Sequence, residues 1–159
     1  MNENVIFALV LASALGSGLM AGVLFAFSTF VMRALARQPA AHGIAAMQSI
    51  NVTALNPWFM GVFFGTAASC GLLALGSLVR WPAPGASLLL AGSASYFVGT
   101  FLVTLVCNVP WNNRLAAADA ASAAGQALWA RYVSRWTAWN HVRTVAALAA
   151  LAAFVLAIR

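Results

Sequence analysis

Apolar residues fill four long stretches of this chain that contain no charged side chain. They run from 4 to 32, 58 to 79, 85 to 107 and 144 to 158. A helix needs about 20 apolar residues to cross the roughly 30 Å hydrocarbon layer of a bilayer, and each of the first three stretches meets this length alone. The pattern therefore predicts four transmembrane helices.

The fourth stretch is too short to cross the bilayer unaided. At about 1.5 Å per residue its helix covers only about 22 Å, so it must begin about five or more residues earlier. The preceding sequence is WTAWNHVRT, residues 136 to 144, which contains an asparagine, a histidine and an arginine. We therefore expect this polar motif to lie at one edge of the hydrocarbon.

Two connections between the apolar stretches also have helical character. In PAAHGIAAMQSIN, Pro39 suits a first helical residue, and Ile44, Met47 and Ile50 recur at helical spacing. The sequence AAADAASAAGQALWARYVSRW is rich in helix formers. The fold class we predict is all-α: one membrane domain over residues 1–159, a four-transmembrane-helix bundle with short amphipathic helices in the first and third connections. The second of these could run continuously into the fourth span.

The composition agrees with a membrane protein and excludes several other classes. Hydrophobic residues make up 64% of the chain and charged residues 6%, with a net charge of +6, whereas about a quarter of a soluble domain is charged. The arginines are scattered, so we expect no nucleic-acid binding. The start, MNENVIFALV, lacks the basic residues of a signal peptide, which favours a retained helix.

The distribution of arginines predicts an orientation. With four spans, the two connections of residues 33–57 and 108–138 lie on one side, and both termini lie on the other. The connections hold five arginines: Arg33, Arg37, Arg114, Arg131 and Arg135. The other side of the membrane has two, Arg80 and Arg159. Because positive charge favours the cytoplasmic face, we expect a multi-pass protein of the cell inner (cytoplasmic) membrane with both termini on the non-cytoplasmic side.

Polar residues from distant parts of the chain reach the same membrane level. They are Asn51 before the second span, Asn108 and Asn112 at the end of the third, and Trp136, Asn140, His141, Arg143 and Thr144 at the start of the fourth. On a helix the last group covers a wedge of about 160°. Part of it should face the bundle, since an ionisable residue in a membrane needs partners or a water-filled cavity. The sequence thus predicts a polar pocket with apolar walls.

Several of these residues have simpler interpretations. Asn56 before Pro57 is typical of a helix N-cap, and Asn112 with Asn113 is typical of a turn. Arg143 could reach lipid phosphate, and Trp111 could be an interfacial residue. The two histidines, His42 and His141, have no carboxylate near them in the sequence, so we expect no metal site.

Four segments, GVLFAFSTFVMRAL, MQSIN, NVPWNNRLA and WARYVSRWTAWNHVRT, resemble the anthrone oxygenase family, and the similarity covers nearly the whole chain. The departures are Trp111, where leucine is common, and Arg33, where proline often follows Val-Met. The resemblance implies a small four-helix membrane protein that oxidises anthrone-like or quinol-like aromatic molecules with molecular oxygen and no cofactor. It implies a fold more directly than a reaction.

On this resemblance we expect His141 to act as general base and Arg143, with Asn51, Asn108 or Asn140, to stabilise the enolate oxygen. The expected catalytic residues are His141, Arg143 and Asn140. The expected substrate-binding residues are Asn51, Asn108, Asn112, Trp136, Trp139 and Thr144. Trp136 and Trp139 would stack on the substrate.

The sequence leaves other functions open. A non-catalytic membrane bundle that holds a quinone, a lipid or a partner helix would use the same pocket without proton transfer. A small transporter subunit ranks lower, because the remaining parts of the spans offer only scattered Ser and Thr residues. The sequence also leaves open whether the chain forms a homo-oligomer in the lipid bilayer.

Overall fold

The computed structural model describes residues 2–158, which form five helices. They are α1 (Glu3–Ala36), α2 (Ala40–Thr53), α3 (Pro57–Val79), α4 (Ala86–Ala116) and α5 (Ala123–Ala157). All except α2 are long and apolar enough to cross a membrane. The predicted all-α bundle with four spans is therefore confirmed.

Helix α5 explains how the short fourth stretch can span. It has 35 residues, or about 52 Å at 1.5 Å per residue, and it carries the motif WTAWNHVRT near its middle. The helix expected in the third connection is its N-terminal part, continuous with the span. Helix α5 begins after Ser122, whose hydroxyl caps the Gly125 N–H at 3.0 Å. The predicted cap before α3 is also present, with Asn56 accepting from the Phe59 N–H at 3.0 Å.

Helix α2 packs across one end of the bundle. Its apolar face buries Ile44 and Met47, as the helical spacing predicted. The Gln48 amide donates to the Leu115 carbonyl at 2.8 Å and the Ala118 carbonyl at 3.1 Å, which joins α2 to the end of α4. The first connection is therefore a fixed part of the fold.

The apolar interior has two main parts. The membrane core consists of Val10, Ala14, Met20, Phe63, Ala67, Cys70, Leu73, Tyr96, Ala150 and Phe154. The connection-side core consists of Met32, Ile44, Met47, Leu115, Trp129, Tyr132 and Trp136. Along α1, α4 and α5 the two cores are separated by buried or half-buried polar residues, which we call the polar layer: Ser28, Thr100, Thr104, Asn108, Asn140, Arg143 and Thr144.

The polar layer coincides with irregular helix geometry. Helix α1 has a π-helical segment at Phe27–Val31, and α4 has two, at Ser95–Leu102 and Thr104–Asn108. A π turn holds an additional residue and rotates the side chains that follow, and such turns are frequent at functional sites. Pro110, which has no N–H to donate, interrupts the regular hydrogen bonding directly after the last segment. Ser28 and the α4 members of the layer, Thr100, Thr104 and Asn108, all lie within these segments.

Candidate functional site

Asn140 is the centre of the polar layer. It is fully buried, and its Nδ2 donates to the Leu24 carbonyl and to Ser28 Oγ, both at 2.7 Å. Its Oδ1 accepts from Arg143 Nη2 at 2.6 Å. Thr144 Oγ1 donates to the Asn140 carbonyl at 2.8 Å. Asn140 therefore connects α1 to the arginine one turn further along α5.

Arg143 is a buried cation without a carboxylate. Its side chain is only 6% exposed. The chain has two acidic residues, Glu3 and Asp119, and both are exposed. The guanidinium instead donates through Nη1 to Thr104 Oγ1 at 3.0 Å, and it lies 5.1 Å from the ring centroid of Trp136. A guanidinium keeps its charge in proteins, so the burial of this one is compensated by hydrogen bonds to Thr104 and Asn140 and by the Trp136 ring rather than by an acid.

Two asparagines of α4 hold the aromatic side chains of α5. Asn112 Oδ1 accepts from the Tyr132 hydroxyl and from Trp136 Nε1, both at 2.8 Å. Asn108 Nδ2 donates to the Trp136 carbonyl at 3.1 Å. The rings of Tyr132 and Trp136 are stacked, with centroids 6.1 Å apart. Asn112 lies within α4 rather than in a turn, and both asparagines join α4 to α5.

Some buried polar atoms at this level have no hydrogen-bond partner among residues 2–158. They include Asn51 Nδ2, Asn108 Oδ1, Thr137 Oγ1 and Arg143 Nε. Asn51 lies close to the Tyr132 hydroxyl. Buried unpaired groups are rare in proteins, and ordered water or a ligand often satisfies them. The site therefore retains unused capacity to bind polar atoms.

The position of His141 differs from the expectation. It is exposed, whereas the sequence interpretation placed it with Arg143 and the asparagines inside the bundle. At about 100° per residue, His141 and Arg143 lie about 160° apart around α5. The polar residues of the motif cover the arc between these two positions, and the bundle buries the middle of the arc, at Asn140 and Thr144. His141 lies at one edge of the arc and Arg143 at the other. The two side chains therefore lie on different sides of α5.

His141 lines an open groove between α1 and α5. This histidine groove has a volume of about 340 Å³ and is lined by Ser28, Met32, Arg33, Ala36, Val133, Ser134, Thr137, Ala138 and His141. Its volume falls in the range typical of small-molecule sites, which is about 300–1,000 Å³. The groove combines an imidazole, a guanidinium and hydroxyl groups with apolar walls.

A chain of hydrogen bonds connects the histidine groove to Arg143. Arg143 donates to Asn140, and Asn140 donates to Ser28, which lines the groove. Because the Thr144 hydroxyl donates to a carbonyl, Ser28 is the donor in its 3.1 Å contact with Thr144. Each bond in such a chain polarises the next. The positive charge of Arg143 therefore strengthens Ser28 as a hydrogen-bond donor.

Trp139 lies outside the polar layer as well. It is 39% exposed and lines a second groove of about 590 Å³ on the outer side of α5, which we call the arginine groove. The lining residues of the arginine groove are Trp111, Ala130, Arg131, Ser134, Arg135 and Trp139. The expectation that Trp136 and Trp139 stack together on one substrate is therefore wrong, because Trp136 is buried under Arg143.

Sequence reasoning did not single out Ser28, Thr104 or Tyr132. Each makes a hydrogen bond to a predicted site residue. Ser28, which precedes Thr29, and Thr104 are hydroxyl residues within apolar stretches, and this was the available signal. Among residues 2–158, no group of three or more His, Cys, Asp or Glu side chains is placed to hold a metal ion.

Comparison with known proteins identifies the family. The family model described as anthrone oxygenase matches residues 59–153, well over half of the chain. The matched region contains the α4 asparagines and the whole WTAWNHVRT motif. The searches of curated proteins and of solved structures gave no match. The chain belongs to the anthrone oxygenase family.

Proposed function

We propose, from this family membership and from the histidine groove, that the protein is a cofactor-independent membrane oxygenase. Its substrate is an anthrone-like or quinol-like aromatic molecule that dissolves in the bilayer, and its second substrate is molecular oxygen. The observation that carries the proposal is that His141 and Ser28 line one groove, while Ser28 is hydrogen-bonded through Asn140 to the buried Arg143.

In the proposed first step, His141 acts as general base. It takes a proton from the CH₂ group that lies opposite the carbonyl in the central ring of an anthrone-like substrate, and the C–H electron pair moves through the ring system to give an enolate. A neutral imidazole is suited to this transfer near neutral pH. In the proposal a flat ring system occupies the groove of about 340 Å³ that Met32, Val133 and His141 line.

The enolate oxygen carries the negative charge that this step creates. In the proposal it accepts a hydrogen bond from Ser28, whose single O–H turns from Thr144 to the enolate and is polarised by the Arg143–Asn140 chain. It also accepts from Thr137, whose buried hydroxyl has no partner among residues 2–158. Arg33 adds a positive charge in the same groove. Donors that are already in place where charge develops lower the reaction barrier. Arg143 and Asn140 thus act through Ser28.

The later steps involve oxygen directly. The enolate transfers electrons to O₂, and a C–O bond forms at the deprotonated carbon. The resulting peroxide recovers a proton from the imidazolium of His141. Loss of the second C–H proton and cleavage of the O–O bond then give a carbonyl and water. One O₂ is consumed and one water is released for each quinone formed.

The remaining predicted residues have positioning roles in this proposal. Thr144 orients Ser28 and Asn140, Asn108 fixes the backbone of α5, and Asn112 fixes Trp136. Trp136 covers one side of the Arg143 guanidinium, and Asn51 lies on the far side of the layer from the groove. These side chains hold Arg143 where its positive charge polarises Ser28 through Asn140.

We further propose that the two connections face the cytoplasm and both termini face the opposite side of the cell inner membrane, from the excess of arginines in the connections. Cysteine labelling from outside the cell at position 2 and at position 38 tests this orientation. Labelling of position 2 alone agrees with this orientation, and labelling of position 38 alone would show the opposite orientation.

The experiment that tests the activity is oxygen uptake by the purified protein with anthrone. The wild type should consume oxygen, and His141→Ala should lower turnover by about 10²-fold to 10⁴-fold, the usual contribution of a positioned base. His42→Ala is the matched control, since His42 is an exposed histidine on α2. If the wild type binds anthrone without oxygen uptake, the alternative of a non-catalytic binding bundle replaces this proposal.

A further inference from the structure

The arginine groove is separate from the proposed reaction site. It lies on the outer surface of α5 beside the end of α4, and four of its lining side chains are large and either cationic or aromatic: Trp111, Arg131, Arg135 and Trp139. These groups have no part in the proposed oxygenation. Their arrangement indicates a different ligand.

The charge of the arginine groove is entirely positive. Neither Glu3 nor Asp119, the two acidic residues of the chain, lines it. A third arginine, Arg114, lies 4.9 Å from the centre of the Trp111 ring and adds its charge nearby. Guanidinium groups bind phosphate oxygens through paired hydrogen bonds. The groove is therefore complementary to an anionic phosphate.

The depth of the groove matches the lipid headgroups. Trp139 precedes the apolar end of α5, and tryptophan rings favour the boundary between hydrocarbon and headgroups. Arg135 and Arg131 follow one and two turns away from the hydrocarbon, at about 6 Å and about 12 Å. The headgroup region of each leaflet is about 5–7 Å thick. The backbone of Arg135 thus lies at phosphate level, and that of Arg131 lies beyond the headgroups, from where its long side chain can reach back toward the phosphate.

We propose that the arginine groove binds the headgroup of an anionic phospholipid. Arg131 and Arg135 contact the phosphate, and the rings of Trp111 and Trp139 lie against the glycerol and the upper acyl chain. A lipid fits better than a free anion because the groove has both guanidinium groups and exposed aromatic surface next to a transmembrane span. Basic surfaces at this level are typical of anionic lipid recognition.

Fluorescence quenching in vesicles tests the proposal. The full-length protein is reconstituted in phosphatidylcholine vesicles that contain either brominated phosphatidylglycerol or brominated phosphatidylcholine, and tryptophan quenching is measured. Brominated phosphatidylglycerol should quench the wild type more strongly, and Trp139→Phe should remove most of the difference. The double variant R131Q/R135Q should weaken the preference for phosphatidylglycerol about 30-fold, at about one kcal/mol for each arginine near an anionic surface.

The matched control is R33Q/R37Q, which removes the same charge from the exposed end of α1 on the same side of the membrane. This variant should keep the preference. An equal loss in both double variants would mean that net charge alone attracts the lipid, and the proposal would be wrong. Equal quenching of the wild type by both lipids would also contradict the proposal. So would loss of the preference in excess inorganic phosphate, or shielding of Trp139 by a second copy of the chain.

Discussion

The two sides of α5 use polar residues in different ways. On one side, which we call the network face, Trp136, Asn140 and Arg143 are buried. On the other, which we call the groove face, Thr137 is half-buried and His141 is exposed. Both faces belong to one short motif, yet the first is held by hydrogen bonds to α1 and α4, and the second opens into the histidine groove.

This difference separates the residues that position the site from the residues that contact the substrate. A side chain that already bonds to protein on several sides, such as Asn140, has no free group for a substrate. A side chain that lines the cavity can contact one if it is exposed, as His141 is, or if its hydroxyl has no partner among residues 2–158, as for Thr137. Substitutions on the network face should therefore affect stability and turnover together, and those on the groove face should affect turnover alone.

The largest effect is expected for Asn140→Leu. The change leaves the buried Arg143 Nη2 group without its acceptor, whereas the Leu24 carbonyl keeps its bond from the Phe27 N–H. An unsatisfied buried group costs about 1–3 kcal/mol, and more when it is charged. We expect a loss of about 2–4 kcal/mol in the free energy of unfolding, together with a strong loss of turnover. The thermal midpoint in detergent and oxygen uptake measure the two effects. An unchanged midpoint would contradict the network face as described.

A smaller, purely kinetic effect is expected for Ser28→Ala. The Asn140 amide keeps its bond to the Leu24 carbonyl, so the fold should survive, whereas the removal of one donor to the enolate should lower kcat about 10²-fold to 10³-fold. Ser13→Ala is the control, because Ser13 is equally buried but pairs with Ser69 in the membrane part of the bundle. Equal turnover in the two variants would remove Ser28 from the reaction.

The smallest effect is expected for Thr137→Val. The Thr137 hydroxyl is buried and has no partner among residues 2–158, so its removal should leave the thermal midpoint unchanged or slightly raised. Turnover should fall less than in Ser28→Ala, because no cation is linked to this hydroxyl. A drop of several degrees in the midpoint would indicate that Thr137 has a structural partner and is not open to the groove.

The sequence predicted the helices well because their lengths follow from the bilayer. It also predicted that Asn108, Asn140 and Arg143 face into the bundle, and all three are buried, since a cation and amides in apolar spans need polar partners. It did not predict the side of α5 on which His141 lies. The polar residues cover an arc of about 160° on α5, so the helix could turn either edge of the arc into the bundle. Contacts of Asn140 with Ser28 and Leu24 of α1 fix the rotation of α5 about its axis. The π segments, which contain Ser28, Thr100, Thr104 and Asn108, have no clear sequence signal.

Chemical rescue of a histidine variant tests the central claim, that His141 takes the substrate proton in an open groove, most directly. His141→Gly removes the base and leaves space in a groove of about 340 Å³. We expect oxygen uptake with anthrone to fall about 10²-fold to 10⁴-fold and to rise again with added imidazole, while imidazole leaves the wild type unaffected. Wild-type turnover by His141→Gly without imidazole would contradict the account.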